Sequence, residues 1–151
     1  MRVKIGPYPK WRWYDNWLYN CLGKEKKQSI EVQIDPWDTW SMDHTLAYIT
    51  LPMLKQLKKT KHGAPDVDDQ DVPENLRKAN ADPKDNEWDV DSNLFKRWDY
   101  VLGEMIYSFD CKINKDEVYM RFNDRSKMEA EQQRISNGFR LFGKYYEALW
   151  D

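Results

Sequence analysis

In the run Leu94-Phe95-Lys96-Arg97-Trp98-Asp99-Tyr100-Val101-Leu102-Gly103-Glu104-Met105-Ile106-Tyr107-Ser108-Phe109, apolar residues return at intervals of three and four. An α-helix turns once every ~3.6 residues, so Leu94, Trp98, Val101, Met105 and Phe109 line one face, and Phe95, Leu102 and Ile106 widen it. The period predicts a long amphipathic helix, with Asp91 or Ser92 placed to cap it. Downstream, residues 116–148 predict a last helical stretch, broken near Asn123. There Ile135, Phe139, Phe142, Tyr146 and Leu149 follow a 4–3–4–3 spacing that suits a seam against another helix.

Upstream, residues 64–92 are rich in Asp, Pro and Asn and predict a long acidic loop with a turn of helix at 73–79. Before it, Asp38, Thr39 and Ser41 are helix-capping types. Leu46, Ile49, Met53, Leu54 and Leu57 would form the following helix's apolar face. Pro52 inside it predicts a kink or two consecutive helices, and Gly63 and Pro65 end it. Ile30, Val32 and Ile34 alternate with Glu31, Gln33 and Asp35, which predicts a strand; Arg2-Val3-Lys4-Ile5 predicts another. Trp13, Trp17 and Cys21 at intervals of four predict a short helix over 11–22. The expectation is a single α+β domain over 1–151, mostly α. It has two short N-terminal strands followed by three or four amphipathic helices.

The chain has 151 residues, 33% charged, with a net charge of −2. Without a basic footprint, duplex nucleic acid is not an expected partner. The charge is uneven: residues 1–65 carry 11 Lys/Arg against 6 Asp/Glu, residues 66–117 carry 7 against 15. No run reaches the roughly 18 apolar residues of a membrane span, and no apolar core follows Arg2 and Lys4 as in a signal peptide. Two cysteines, Cys21 and Cys111, lack metal-ligand spacing and give no disulfide framework. These features predict a protein of a reducing intracellular compartment, outside the membrane.

Motifs for chemistry are sparse. His44 and His62 form no zinc pattern. Asp66, Asp68, Asp69 and Asp71 begin like a calcium loop, but Asp71 and Arg77 stand where that loop needs glycine and glutamate, so a solvated acidic loop is expected. No nucleophile elbow, phosphate-cradling glycine loop or cysteine–histidine neighbourhood occurs. The expectation is no catalytic residue, no metal and no cofactor.

Aromatic residues dominate instead: 8 Trp, 9 Tyr and 5 Phe. Flat ligands stack on such rings, while Arg and Lys hold phosphates. Tyr8, Trp11, Trp37, Trp40, His44, Arg140 and Lys144 are the candidate ligand-binding residues. The competing role for these rings is a core or a subunit interface.

Distinctive segments are Val3-Lys4-Ile5-Gly6-Pro7-Tyr8-Pro9, Trp37-Asp38-Thr39-Trp40-Ser41-Met42-Asp43-His44-Thr45-Leu46-Ala47, Pro52 to Lys58, Thr60 to Gly63, Asp71 to Glu74, and Phe95 to Trp98. Through them most of the chain resembles a family of small, mostly uncharacterised tailed-bacteriophage proteins. The resemblance implies expression in the cytoplasm of an infected bacterial host. It suggests two roles. One is a non-catalytic, homo-oligomeric sponge that sequesters a small cyclic nucleotide signal of host immunity. The other is a structural or morphogenetic phage protein with aromatic-rich protein interfaces.

Overall fold

The structure, a computed structural model, describes residues 1–7, 10, 12, 14, 21, 27–83, 86, 89–114 and 124–150. It is mostly helical with a two-stranded antiparallel sheet near its start, an α+β fold dominated by α. The chain forms two compact units, Met1–Met42 and Asp43–Asp151.

In the N-terminal unit β1 (Arg2–Ile5) pairs antiparallel with β2 (Ile30–Gln33). Val3 stands opposite Val32 and Ile5 opposite Ile30. Opposed residues point to the same face, and side chains alternate along a strand. One face is therefore wholly aliphatic (Val3, Ile5, Ile30, Val32), and the other carries Arg2, Lys4, Glu31 and Gln33. The pairing continues at the Gly6 N–H, which donates to the Ser29 carbonyl at 2.7 Å. Beyond β2 a 3-10 turn spans Pro36–Thr39. Its capping is reciprocal: the Trp37 N–H donates to the Asp35 carboxylate at 3.0 Å, and the Asp35 N–H to Asp38 at 2.8 Å. Pro36 sits where a helical turn needs no N–H. The Met1 ammonium binds Asp38 at 2.6 Å.

The second unit packs α1 (Met42–Thr60), α2 (Leu94–Ile113) and α3 (Arg125–Lys144). Helix α2 is central, with Trp98, Val101, Leu102 and Met105 fully buried. Ala47, Leu51 and Leu54 of α1 and Leu141 of α3 complete the core. Phe109 receives Phe139 and Phe142 edge-on, at centroid distances of 5.1 and 4.9 Å. Helices α2 and α3 approach closely at Gly138, where a Cβ would lie 1.9 Å from Ser108 Oγ and 2.4 Å from the Glu104 carbonyl oxygen.

Several local expectations change. Of the kink or two consecutive helices expected at Pro52, the second does not occur: helix α1 runs through Pro52 as one element. Pro52 and Tyr48 are both exposed, so the Tyr48 carbonyl that loses its donor can turn to water. The line of α3 that buries most deeply is Gly138, Leu141 and Tyr145, while Tyr146 of the expected seam is 65% exposed. The acidic loop is not simply solvated: Val67, Asp71 and Val72 are buried in it, and short 3-10 turns occupy Asp69–Asp71, Glu74–Leu76 and Lys78–Asn80. Apart from Arg12, Tyr14 and Cys21, the helix expected over 11–22 lies outside the described residues, as does the break near Asn123. Among the described residues no helix is long and apolar enough to cross a membrane.

Candidate functional site

Among the described residues, a dense polar cluster lies in the helical unit, where the acidic loop meets α3. Val67 and Val72 enter the core and carry Asp71 between them, leaving its side chain only 3% exposed. Three donors satisfy it: Arg140 at 2.5 Å, Lys144 at 2.6 Å and the Tyr145 hydroxyl at 2.7 Å. Burial alone would raise this carboxyl. The bonds from Lys144, Tyr145 and Arg140 outweigh burial and hold it at about 2. Lys144 also binds Asp68, and its ammonium is pushed above the ordinary lysine range, first by Asp68 and then by Asp71. The Asp68 N–H donates to the Tyr145 hydroxyl at 3.1 Å. Burial, then the contact with Asp71, raises the Tyr145 phenol. Arg140 and Lys144 converge on Asp71, an anion of the protein's own.

A second arrangement mixes aromatic and basic groups. Tyr100 and Tyr107 lie two helical turns apart on α2 with Gly103 between them, beside a groove of about 580 Å³. Lys55 and Lys58 of α1 and Arg134 of α3 complete its basic side. Glu104 grips Arg134 through two bonds of 2.9 and 2.7 Å, and the guanidinium stacks 3.7 Å from the Tyr107 ring centre. Lys58 has no carboxylate within ion-pair distance among the described residues, and a Cβ at Gly103 would sit 3.1 Å from its ammonium. Asp99, Glu104 and Asp110 also line the groove, and Lys61 neutralises Asp99 at 2.7 Å. Separately, Leu46, Thr50, Phe109, Phe139 and Phe142 line an apolar pocket of about 320 Å³ under the Asp43–Lys112 ion pair.

In the N-terminal unit, Trp37 and Trp40 are 78% and 84% exposed, their ring centres 6.4 Å apart and their planes tilted by 41°. The turn that presents them is fixed by its cap and by Met1. His44, in the helical unit, is half-buried and meets the Tyr48 ring edge-on at 5.0 Å. Tyr8 and Trp11 lie outside the described residues. Of the seven candidates, then, Trp37 is brought to Trp40 and Arg140 to Lys144. Among the described residues no three His, Cys, Asp or Glu side chains converge as a metal site.

Comparison with protein-family models, curated proteins and solved structures finds no match. The sequence reading missed Asp71, Tyr145 and the groove at Tyr100, Gly103 and Tyr107. A valine on each side of Asp71, at positions 67 and 72, was the available signal that part of the acidic loop turns inward. For the groove the signal was Tyr-x-x-Gly-x-x-x-Tyr, a gap in the helix surface between two phenols.

Proposed function

We propose that the chain is a non-catalytic assembly protein that joins protein chains through its N-terminal unit, as a structural or morphogenetic component of a tailed bacteriophage. The observation that carries this reading is the exposure of Trp37 and Trp40 on a turn locked by its own cap, in the unit that also exposes an aliphatic ribbon face. Rigid indoles supply large contact areas at little ordering cost, and tryptophan is enriched among the residues that dominate binding energy. Large exposed apolar side chains held on a fixed turn, as Trp37 and Trp40 are, suit an interaction site. The phage setting rests on the resemblance of the segment from Trp37 to Ala47.

Mass spectrometry of purified particles and assembly intermediates tests this. Infections are run with the native chain or with Trp37→Ala/Trp40→Ala. The native chain is expected in particles or intermediates, and the double variant depleted by about tenfold or more, a loss of roughly 1.4 kcal/mol in association. A native chain absent from both, or a double variant incorporated equally, overturns the reading.

The groove beside Tyr100 and Tyr107 favours a second reading, capture of a small nucleotide in the host cytoplasm. Its phenols could stack a base while Lys58 faces the phosphates; Arg134 is held by Glu104. In this reading the site moves away from Arg140 and Lys144, because drawing them off Asp71 would strip a buried carboxylate of its partners. Calorimetric titration with cyclic di- and trinucleotides tests it. Tyr107→Ala should remove about 1–3 kcal/mol of binding, and no heat with any nucleotide eliminates this reading.

A further inference from the structure

We propose that the groove along α2 takes a planar ring carrying a single negative charge, with the ring on Tyr100 and the charge on Lys58 above Gly103. The assignment rests on the nucleotide-capture reading of this groove and adds the charge of its ligand. Each carboxylate lining the groove has a cation of its own. Glu104 holds Arg134 at 2.9 and 2.7 Å, Lys55 lies 3.4 Å from Asp110, and Lys61 meets Asp99 at 2.7 Å. Lys58 is left over: among the described residues no carboxylate lies within ion-pair distance of it. It is half-buried, so its charge is less fully hydrated than that of an exposed lysine. The groove therefore offers one uncompensated positive charge. A second anionic group would find only cations already paired, beside three carboxylates that repel it.

Gly103 gives that charge its place. A Cβ here would meet only the Lys58 ammonium within 4 Å, at 3.1 Å. Glycine in a helix interior costs stability relative to alanine. At Gly138 packing requires it, because Ser108 and Glu104 stand where a Cβ would go. Gly143, also unobstructed, lies next to Lys144, the last residue of α3. Gly103 is in the middle of α2, and no neighbouring helix packs onto it so closely. The bare backbone leaves room beside the ammonium for an oxyanion.

Tyr100 supplies the ring's platform. Among the described residues no ring or cation stacks on it, whereas Arg134 covers one face of Tyr107 at 3.7 Å. Residues three apart on a helix are surface neighbours, so a ring on Tyr100 and an oxyanion above Gly103 can belong to one small molecule.

Calorimetric titration of the full chain with ligands that share a ring and differ in charge tests the proposal. Adenosine bears no charge, 3′,5′-cyclic AMP bears one, and 5′-AMP bears nearly two at about pH 8. Cyclic AMP is expected to bind about tenfold tighter than adenosine, the scale of one hydrogen bond to a charged group, and tighter than 5′-AMP. Lys58→Gln is expected to abolish the advantage over adenosine and Lys58→Arg to keep it, both with the helical circular dichroism of the native chain. Gly103→Ala is expected to weaken cyclic AMP binding by about tenfold, through a methyl set in the oxyanion's space. Its urea midpoint should stay level or rise, a pairing that a merely structural glycine would not give. Adenosine bound as tightly as cyclic AMP, tighter binding of 5′-AMP, or a Lys58→Gln chain that keeps the native preference overturns the proposal. The planar monoanion 2-naphthoate, which has no sugar, separates the proposal from the reading beneath it. Naphthoate bound through Lys58 while no nucleotide binds removes nucleotide capture and upholds the single-charge site. A cyclic dinucleotide bound where cyclic AMP is not removes the single-charge site and leaves nucleotide capture standing. No heat with any of these ligands overturns both.

Discussion

Trp98, in the helical unit, is completely enclosed, whereas Trp37 and Trp40, in the N-terminal unit, are 78% and 84% exposed. The difference follows from what each indole has to pack on. Trp98 sits on a long helix whose neighbours α1 and α3 bring apolar faces of their own, and Tyr145 meets its ring edge-on at 5.9 Å. Trp37 and Trp40 sit on a four-residue turn after a four-residue strand. Elements that short cannot enclose an indole. Among the described residues, the helical unit thus encloses Trp98, whereas the N-terminal unit leaves Trp37 and Trp40 open, and substitution separates the two cases.

The largest effect is expected at Trp98. Trp98→Ala should cost about 3–5 kcal/mol in urea unfolding, through lost burial plus the cavity left behind. A cost below about 1 kcal/mol would mean that the helical core is not closed around this ring.

Next comes the α2–α3 crossing. Gly138→Ala drives a methyl into Ser108 Oγ and the Glu104 carbonyl, at 1.9 and 2.4 Å. The backbone oxygen cannot swing aside as a side chain could, so the helices must separate. The expected loss is about 1–3 kcal/mol, the usual range for overpacking. Ser108→Gly in the same chain should recover only part of it, because the carbonyl contact remains. Gly143→Ala is the control, since a Cβ there meets nothing within 4 Å. There alanine should be neutral or slightly stabilising in the helix.

These two positions also mark how far the sequence could be read. Trp98 was legible, because periodic apolar residues in a long run leave one helical face to bury. The strands at 2–5 and 30–33 were legible for the same reason at period two. Gly138 was not: in isolation it resembles a helix-weakening residue, and only the neighbouring helix reveals why nothing larger fits. Asp71 was hidden by composition, since one inward carboxylate among many acidic neighbours carries no mark of its own. Its partners Arg140 and Lys144 stood out as cations, but the anion they hold lies some 70 residues earlier in the chain. Pairings of that range come from the fold and leave no local pattern.

Asp71 allows the third prediction, a test of how the helical unit holds its acidic loop. Its folded value of about 2 lies below the ordinary 3.8, so the sign is that of a stabilising carboxylate. The contribution is complete above about pH 4 and disappears as pH falls through 4 towards 2. The gap corresponds to about 2 kcal/mol. Urea midpoints of the native chain should drop across that window, and those of Asp71→Asn should drop by less. Parallel acid limbs in the two proteins would show that the loop is held mainly by Val67 and Val72.

The smallest stability change belongs to the exposed indoles, and it sharpens the contrast most. Trp37→Ala and Trp40→Ala remove rings with little surface buried within the chain, so each should shift unfolding by no more than about 0.5 kcal/mol. Their spectroscopic effect should be larger. In the native chain, acrylamide should quench a pronounced accessible fraction of the fluorescence, and that fraction should shrink when both are replaced. Trp98 should contribute only to the protected fraction. If replacing Trp37 or Trp40 cost as much as a buried ring, about 3 kcal/mol or more, these indoles would belong to the chain's own packing and would offer no surface to a partner.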